Sequence, residues 1–294
     1  MMRHCPRLKE NDILILSRDP EKRMAESPYL WKHERIRFLK GDVRDFTFPQ
    51  ADFDYIFHGA TTSGKIIPDD EMLSVVNDGT RRVLEFALRN TRLSNLLYVS
   101  SGAVYKNMNR PMSEDDDFGP INIYGRSKLD AEKLCLASGV PISIARCFAF
   151  VGEYLPLDVH FAIGNFILDC LKNRPIVIKG DGSPLRTYLY SGDLAHWLWT
   201  IMVHGKCERA YNVGSDQEIS IAGLAEAVRQ VAGTTHNILT LSPPTGKPPD
   251  RYTPNIRRAR SELGLHVTTS LKEAVRRTLA YHKTKEKTWN KKLT

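Results

Sequence analysis

The chain has 294 residues, of which 41% are hydrophobic and 26% charged, with a formal net charge of +8. That is apolar material enough for a sizeable core in one large domain or two small ones. The five cysteines are scattered and odd in number, with neither metal nor redox spacing, and the longest apolar run, Leu194 to Val203, is too short for a bilayer and is broken by His196. Met1 to Asn11 is short and polar, and Ile13-Leu-Ile-Leu16 is the first predicted strand. Ile36-Arg-Phe-Leu39 is the second, followed by Gly41-Asp42-Val43-Arg44-Asp45, where Asp42 suits the cap of a turn. Asp54-Tyr-Ile-Phe57 leads into His58-Gly59-Ala60-Thr61-Thr62, whose small residues permit close approach to the backbone; His58 alone makes no ligand site. Residues 70–90 read as a helix.

Leu96 to Val99 is an apolar run of the kind found in parallel strands buried on both faces. It ends in Ser100, Ser101 and Gly102, placing two hydroxyls at the carboxyl edge, where open α/β sheets bind ligands. From Tyr124 the chain reads as a helix, with Tyr124 and Lys128 four apart on one face. Ile142 to Ala145 is a further strand, Ser191 starts a helix that Asp193 suits as a cap, and Ala210 to Gly214 is the last sheet strand. A capped amphipathic helix follows Ile219, then a proline-rich loop from Ser242 to Pro249. The basic residues are spread along the chain except in the tail, 283–294, which reads as disordered. A nucleic-acid partner is therefore not expected, whereas a positive field suits an anionic substrate.

The strand end and the helix together suggest proton transfer. A free tyrosine titrates near ~10 and is a poor base at neutral pH. A lysine ammonium beside it favours the phenolate, and Ser101 can bond the same substrate oxygen. Tyr124 would then move a proton while a hydride moves to or from a nicotinamide. Tyr-x-x-x-Lys alone is a weak signal, since Tyr281 and Lys285 repeat it. The alternative for Tyr124 alone is a half-buried helix tyrosine beside a solvated lysine; the upstream serines favour the site.

Val99-Ser-Ser-Gly-Ala-Val-Tyr105 followed by Tyr124-x-x-x-Lys128 resembles the extended short-chain dehydrogenase/reductase family, and within it the nucleotide-sugar epimerase/dehydratase branch, from about Asp12 to about His282. The resemblance implies an α/β fold: a Rossmann-like doubly wound parallel sheet over 1–150, completed by about 185–214. A smaller α/β substrate lobe would comprise 151–184 and 215–282. It implies Ser101, Tyr124 and Lys128 as catalytic residues, a homodimer paired through two helices each, and no metal. With reduced thiols and no signal peptide in view, the expected location is cytoplasmic, without a membrane partner.

The implied cofactor is NAD or NADP. Asp42 would meet the adenine amino group and Val43 its ring. Gly59 and Ala60 would pass under the ribose, and Cys147 and Phe148 would join Tyr124 and Lys128 beside the nicotinamide. Ser17 stands where NAD users carry an acid, and Arg18 after it suits a 2′-phosphate, a tilt toward NADP; solvated charges at a helix start explain the same residues. Asn165, Arg186 and Arg251 would bind the nucleotide diphosphate of the substrate, with a guanidinium fork for phosphate.

The chain also departs from the family pattern. Val76 and Ala149 replace two family asparagines, and no glycine-rich phosphate loop accompanies the first strand. If Ile13–Leu16 matches the family's second strand, the first strand and its loop are missing, leaving a gap in the sheet. Either the true start lies upstream, which is the expectation adopted here, or canonical cofactor binding has been lost. The implied activity is epimerisation of a nucleotide-diphosphate sugar. A 4,6-dehydratase would carry Asp-Glu directly after the strand-end hydroxyl, where this chain has Gly102-Ala103. A ketone reductase and a catalytically silent binding relative are the alternatives.

Overall fold

Leu96, Leu97 and Tyr98 have no exposed surface. A run with no polar face needs cover on both sides, so this strand lies inside a sheet. The computed structural model describes residues 12–26, 33–61, 67–159 and 161–290. In it β4 (Asn95–Ser101) is flanked by β3 (Tyr55–His58) and β5 (Ile142–Cys147), with β10 (Arg209–Val213) beyond β5. All three ladders are parallel. A second parallel pair, β1 (Ile13–Ser17) and β2 (Ile36–Lys40), is joined to β3 by no ladder among the described residues. The two sheets share a core, where Leu16 and Leu39 pack with Phe46, Ile56 and Leu96. On the outer strand β3, Tyr55 and Phe57 are exposed.

Helices cover both faces. Helix α1 (Pro20–Glu26) follows β1 and packs against β2, and on one side of the larger sheet lie α2 (Asp69–Leu73), α3 (Gly79–Leu88) and α4 (Ile123–Leu136). The helix predicted over 70–90 is interrupted: Ser74–Asp78 forms a π-helical turn between α2 and α3. Val76 is completely buried in this turn, and Asn77 lines an outer groove with Arg81 and Lys133. Asn122 caps α4, its side-chain oxygen accepting from the Gly125 N–H at 2.8 Å. Gly125 is required here, because a Cβ would sit 2.2 Å from the Ala103 carbonyl oxygen. That close approach seats the start of α4 against the end of β4.

The other face is covered by α6 (Ser191–His204), whose Trp197 and Ile201 pack on Leu97 and Ala145. Asp193, predicted as a cap, instead accepts from the Thr268 and Thr269 N–H groups at 3.0 and 2.9 Å, tying α6 to a distant loop. The remaining elements are β6 (Phe150–Val151), α5 (Ala162–Leu171), β7 (Ile176–Ile178), β8 (Leu185–Arg186), β9 (Leu189–Tyr190), β11 (Ile219–Ser220), α7 (Ile221–Ala232), β12 (Ile238–Thr240), β13 (Arg251–Tyr252), α8 (Arg257–Leu263) and α9 (Leu271–Asn290). Ile163, Ile167, Leu224, Val228 and Val275 join α5, α7 and α9 in one core. Three short strands run in the order β11-β8-β13.

The tail expected to be disordered from 283 is helical to Asn290, because α9 anchors Ala274, Val275 and Leu279 in that core and continues outward; 291–294 lie outside the described residues. Tyr281, of the second Tyr-x-x-x-Lys, packs on Tyr154 at 5.3 Å. No helix among the described residues is long and apolar enough to cross a membrane, and none of these residues form a metal-holding cluster.

Candidate active site

Ser101 closes β4, and its Oγ accepts from the Ala103 N–H at 3.2 Å as the chain enters a single 3₁₀ turn, Gly102–Val104. Tyr124, in the first turn of α4, has its hydroxyl beside Ser101. Lys128 is 1% exposed and donates to the Val99 carbonyl at 2.9 Å, with Nζ 5.9 Å from the Tyr124 ring centre. The structure thus brings the three predicted catalytic residues to the carboxyl end of β4.

One electrostatic expectation is corrected. Lys128 does not pull the Tyr124 hydroxyl below its ordinary value. Burial pushes Tyr124 up, with only the neighbouring Ser101 hydroxyl opposing it. Burial also lowers Lys128 to about 8. Both charged forms lose hydration here, and the ammonium is committed to the Val99 carbonyl.

His58 lies behind this group, 3% exposed, with Nε2 2.9 Å from Thr80 Oγ1. The Thr80 hydroxyl proton goes to the Val76 carbonyl, so His58 is the donor. Burial, then the charge of Lys128, lowers His58 from 6.5 to about 3. A depressed value means that the unfolded chain binds the proton first, so the stability His58 supports is complete above pH 6.5 and is lost as pH falls toward 3. His58→Gln keeps a donor for Thr80 and removes the titration. Urea unfolding of this variant at pH 7.5 and 5.5 is expected to lose about 1.4 kcal/mol less than the parent does across that interval. Equal losses would remove His58 as the acid-sensitive group.

Beneath the strand end lies a buried polar network that the sequence did not reveal. Arg146, at the end of β5, donates to Glu132 of α4 through Nε at 3.1 Å and Nη2 at 2.8 Å; their side chains are 5% and 2% exposed. Ser100 donates to the same carboxylate. Arg146 also donates to the Tyr105 hydroxyl at 2.9 Å, and Tyr105 donates to Asn212 of β10 at 2.7 Å. The network ties β4, α4, β5 and β10 together. Its signals were a charged residue ending an apolar strand and a carboxylate one turn beyond Lys128.

The remaining predicted residues are dispersed. Asp42 is held by Arg44 through two bonds of 2.8 and 2.9 Å, which keep its carboxyl below the usual range. Arg18 is 64% exposed and 3.9 Å from Asp42. Val43 packs on Gly79, where a Cβ would meet it at 2.7 Å. Cys147 ends β5, and burial pushes its thiol up to about 12. Phe148 lies against Gly102. Asn165 is half-buried on α5. Arg186 pairs with Asp250 at 2.7 Å, and Arg251 Nη1 donates to both carboxylate oxygens of Glu218 at 3.0 and 2.9 Å. Side chains alternate along β13, so Arg251 faces away from its neighbour Tyr252. Tyr252 is the residue the sequence did not single out: its hydroxyl is 3.3 Å from Ser101 Oγ.

For a nicotinamide dinucleotide the fit is divided. Ser101, Tyr124 and Lys128 suit the nicotinamide end. Gly59 and Ala60, followed by a buried Thr61 hydroxyl with no hydrogen-bond partner, leave a polar group for a ligand at the end of β3. Asp42 is turned to Arg44, which donates twice to Oδ1 and once to Oδ2, leaving one acceptor site on Oδ2 for an adenine amino group. Residues 1–11, which hold no glycine loop, lie outside the described residues.

Residues 3–214 match the sequence model of the NAD dependent epimerase/dehydratase family. Among curated proteins, UDP-glucuronic acid decarboxylase 1 of Xenopus tropicalis is 28% identical over 85% of this chain and 61% of its own length. The human dTDP-D-glucose 4,6-dehydratase is 26% identical over 87% of this chain and 77% of that protein. Against the decarboxylase the chain spans about three fifths of the relative's length. Among solved structures, the UDP-glucuronic acid 4-epimerase of Bacillus cereus in complex with NAD superposes with a TM-score of 0.84 at 21% identity, covering 94% of this chain and 92% of that one. The UDP-glucose 4-epimerase of Thermotoga maritima with UDP-glucose gives 0.82 at 17%, covering 95% and 93%. These likenesses are to the fold.

Proposed function

The chain belongs to the NAD dependent epimerase/dehydratase family, and from that premise we propose that it is an epimerase of a nucleotide-diphosphate sugar. The observation that carries this reading is the gathering of Ser101, Tyr124 and Lys128 at the carboxyl end of β4, with Gly102 and Ala103 where a dehydratase would hold its acid and base. Bound NAD supplies the hydride acceptor and, later, the donor. NAD is preferred to NADP because Arg18, the group suited to a 2′-phosphate, leans toward Asp42.

Tyr124 takes the proton of the sugar hydroxyl being oxidised and returns it when the ketone is reduced. Ser101 bonds the same oxygen and holds it beside Tyr124. Lys128 braces the strand end through the Val99 carbonyl. Arg186 is the group for the diphosphate, which would replace Asp250 on its guanidinium. Pairing of two copies through α3 and α4 belongs to the same reading.

The test is conversion. UDP-glucose and UDP-glucuronic acid are each incubated with the protein and NAD, and the products separated. The epimer is the expected product. A sugar one carbon shorter, or a 4-keto-6-deoxy sugar, would replace epimerisation with decarboxylation or dehydration. Neither binding nor conversion would support a silent relative.

A further inference from the structure

We propose that Tyr98 is a positioning residue of the reacting centre: the face of its ring holds the Lys128 ammonium at the end of β4, within reach of Tyr124, and acts on the reaction only through that charge. Its effect on turnover rests on the reading of Tyr124 and Lys128 as a proton-transfer pair; its hold on Lys128 does not.

Four observations carry it. Lys128 Nζ lies over the Tyr98 ring, 5.2 Å from its centre, closer than the 5.9 Å to Tyr124. A cation within ~6 Å of an aromatic face is attracted to it, most strongly where water is excluded, and Lys128 and Tyr98 are both buried. Second, the ammonium lacks a counter-ion. Among the described residues no carboxylate lies within ion-pair distance of it, and Glu132, one turn on, is taken by Arg146 and Ser100. The Val99 carbonyl accepts one of its three N–H groups, and the ring faces the charge that no carboxylate meets. Third, the ring is fixed: Tyr98 is paired with His58 and Ile144 in the ladders, and its ring centre is 5.4 Å from that of His58. Fourth, the Tyr98 hydroxyl is buried without a hydrogen-bond partner among the described residues. A buried phenol ordinarily finds one, so here the ring face is the part of Tyr98 that meets a polar group. The groups facing Lys128 are His58 from β3, Tyr124, Glu132 and Cys135 from α4, and Cys147 from β5. Burial keeps His58 neutral and both thiols protonated, so Lys128, brought down to about 8, titrates there alone.

Tyr98→Phe removes the idle hydroxyl and keeps the ring. Mono-, di- and trifluorinated phenylalanine at position 98 then draw electron density out of a ring of nearly constant shape, which weakens its hold on a cation and leaves the packing in place. The readout is the NMR titration of isotope-labelled Lys128 Cε, assigned by its loss in Lys128→Met, with no ligand added. Tyr98→Phe is expected to keep the parent's midpoint and melting temperature. Successive fluorines should lower the midpoint stepwise, by about one pH unit in all, tenfold in the protonation equilibrium. A midpoint that ignores fluorination overturns the proposal, and so does one that falls as far in Tyr98→Phe as in the trifluorinated form. With NAD and a sugar that the parent converts, turnover at pH 8 should fall in the same order, roughly fivefold by the end of the series. Turnover that stays level while the midpoint falls would overturn the positioning role. A parent that converts no nucleotide sugar would sink the epimerase reading instead, and the titration alone would then decide whether Tyr98 holds Lys128.

Discussion

Glu132→Ala is expected to lower the stability of the fold by about 3–5 kcal/mol, the usual consequence of stranding one partner of a buried ion pair. Arg146 remains charged after the substitution: its guanidinium is buried, with its two closest anionic contacts on Glu132. Tyr105 and the Glu114 carbonyl would still accept from Nη1, but neither carries the opposing charge. Ser100 would also lose its acceptor, one residue before Ser101. For a chain of this size each kcal/mol lowers the melting temperature by roughly 2–4 °C, so a drop of about 10 °C is expected in a calorimetric or circular-dichroism melt. The control replaces both partners, Glu132→Leu with Arg146→Met. Removing both charges is often neutral or better, so the double variant should be more stable than Glu132→Ala. A single variant within 1 kcal/mol of the parent would show that Arg146 finds other support.

The parts of this molecule that were legible in the sequence are those with local signals. β4 was legible because Leu96 to Val99 are all apolar, and α4 because Tyr124 and Lys128 share a helical face near good helix formers. Their meeting followed from the edge of the sheet at which Ser101 had to lie. Glu132 and Arg146 each carried a hint, but their pairing spans α4 and β5 and needs the fold. Tyr252 stands beside Arg251 in the family's carboxyl-terminal pattern but carried no sign of its contact: β13 is two residues long, too short for any period, and the contact with Ser101 joins positions 151 apart. The π turn at Ser74–Asp78 inserts no unusual residue type, so the predicted helix ran smoothly through it. The tail was misread for the opposite reason. Its charge suggested disorder, whereas helix already anchored by Val275 and Leu279 extends at the smaller cost of propagation.

Tyr124→Phe is expected to abolish conversion of the nucleotide sugar, lowering the rate by roughly 10²–10⁴, the span attributed to a positioned proton-transfer group. The fold should survive, because the ring stays in place and only the hydroxyl beside Ser101 is removed, at a cost on the order of 1 kcal/mol. The pH dependence makes the test specific. Burial pushes the Tyr124 hydroxyl above its ordinary value and brings Lys128 down to about 8. In the direction of sugar oxidation Tyr124 must accept a proton, so the parent's rate should climb as pH rises into the alkaline range. Residual activity in Tyr124→Phe should lack that climb. The stability profile has its own sign: the folded state binds fewer protons than the unfolded chain between about 8 and 10.5 at Lys128, so stability rises with pH there in parent and variant alike. A variant with normal melting and full turnover would remove Tyr124 from the chemistry. One with normal melting, lost turnover and unchanged binding of the UDP-sugar would assign the loss to proton transfer and not to the pocket.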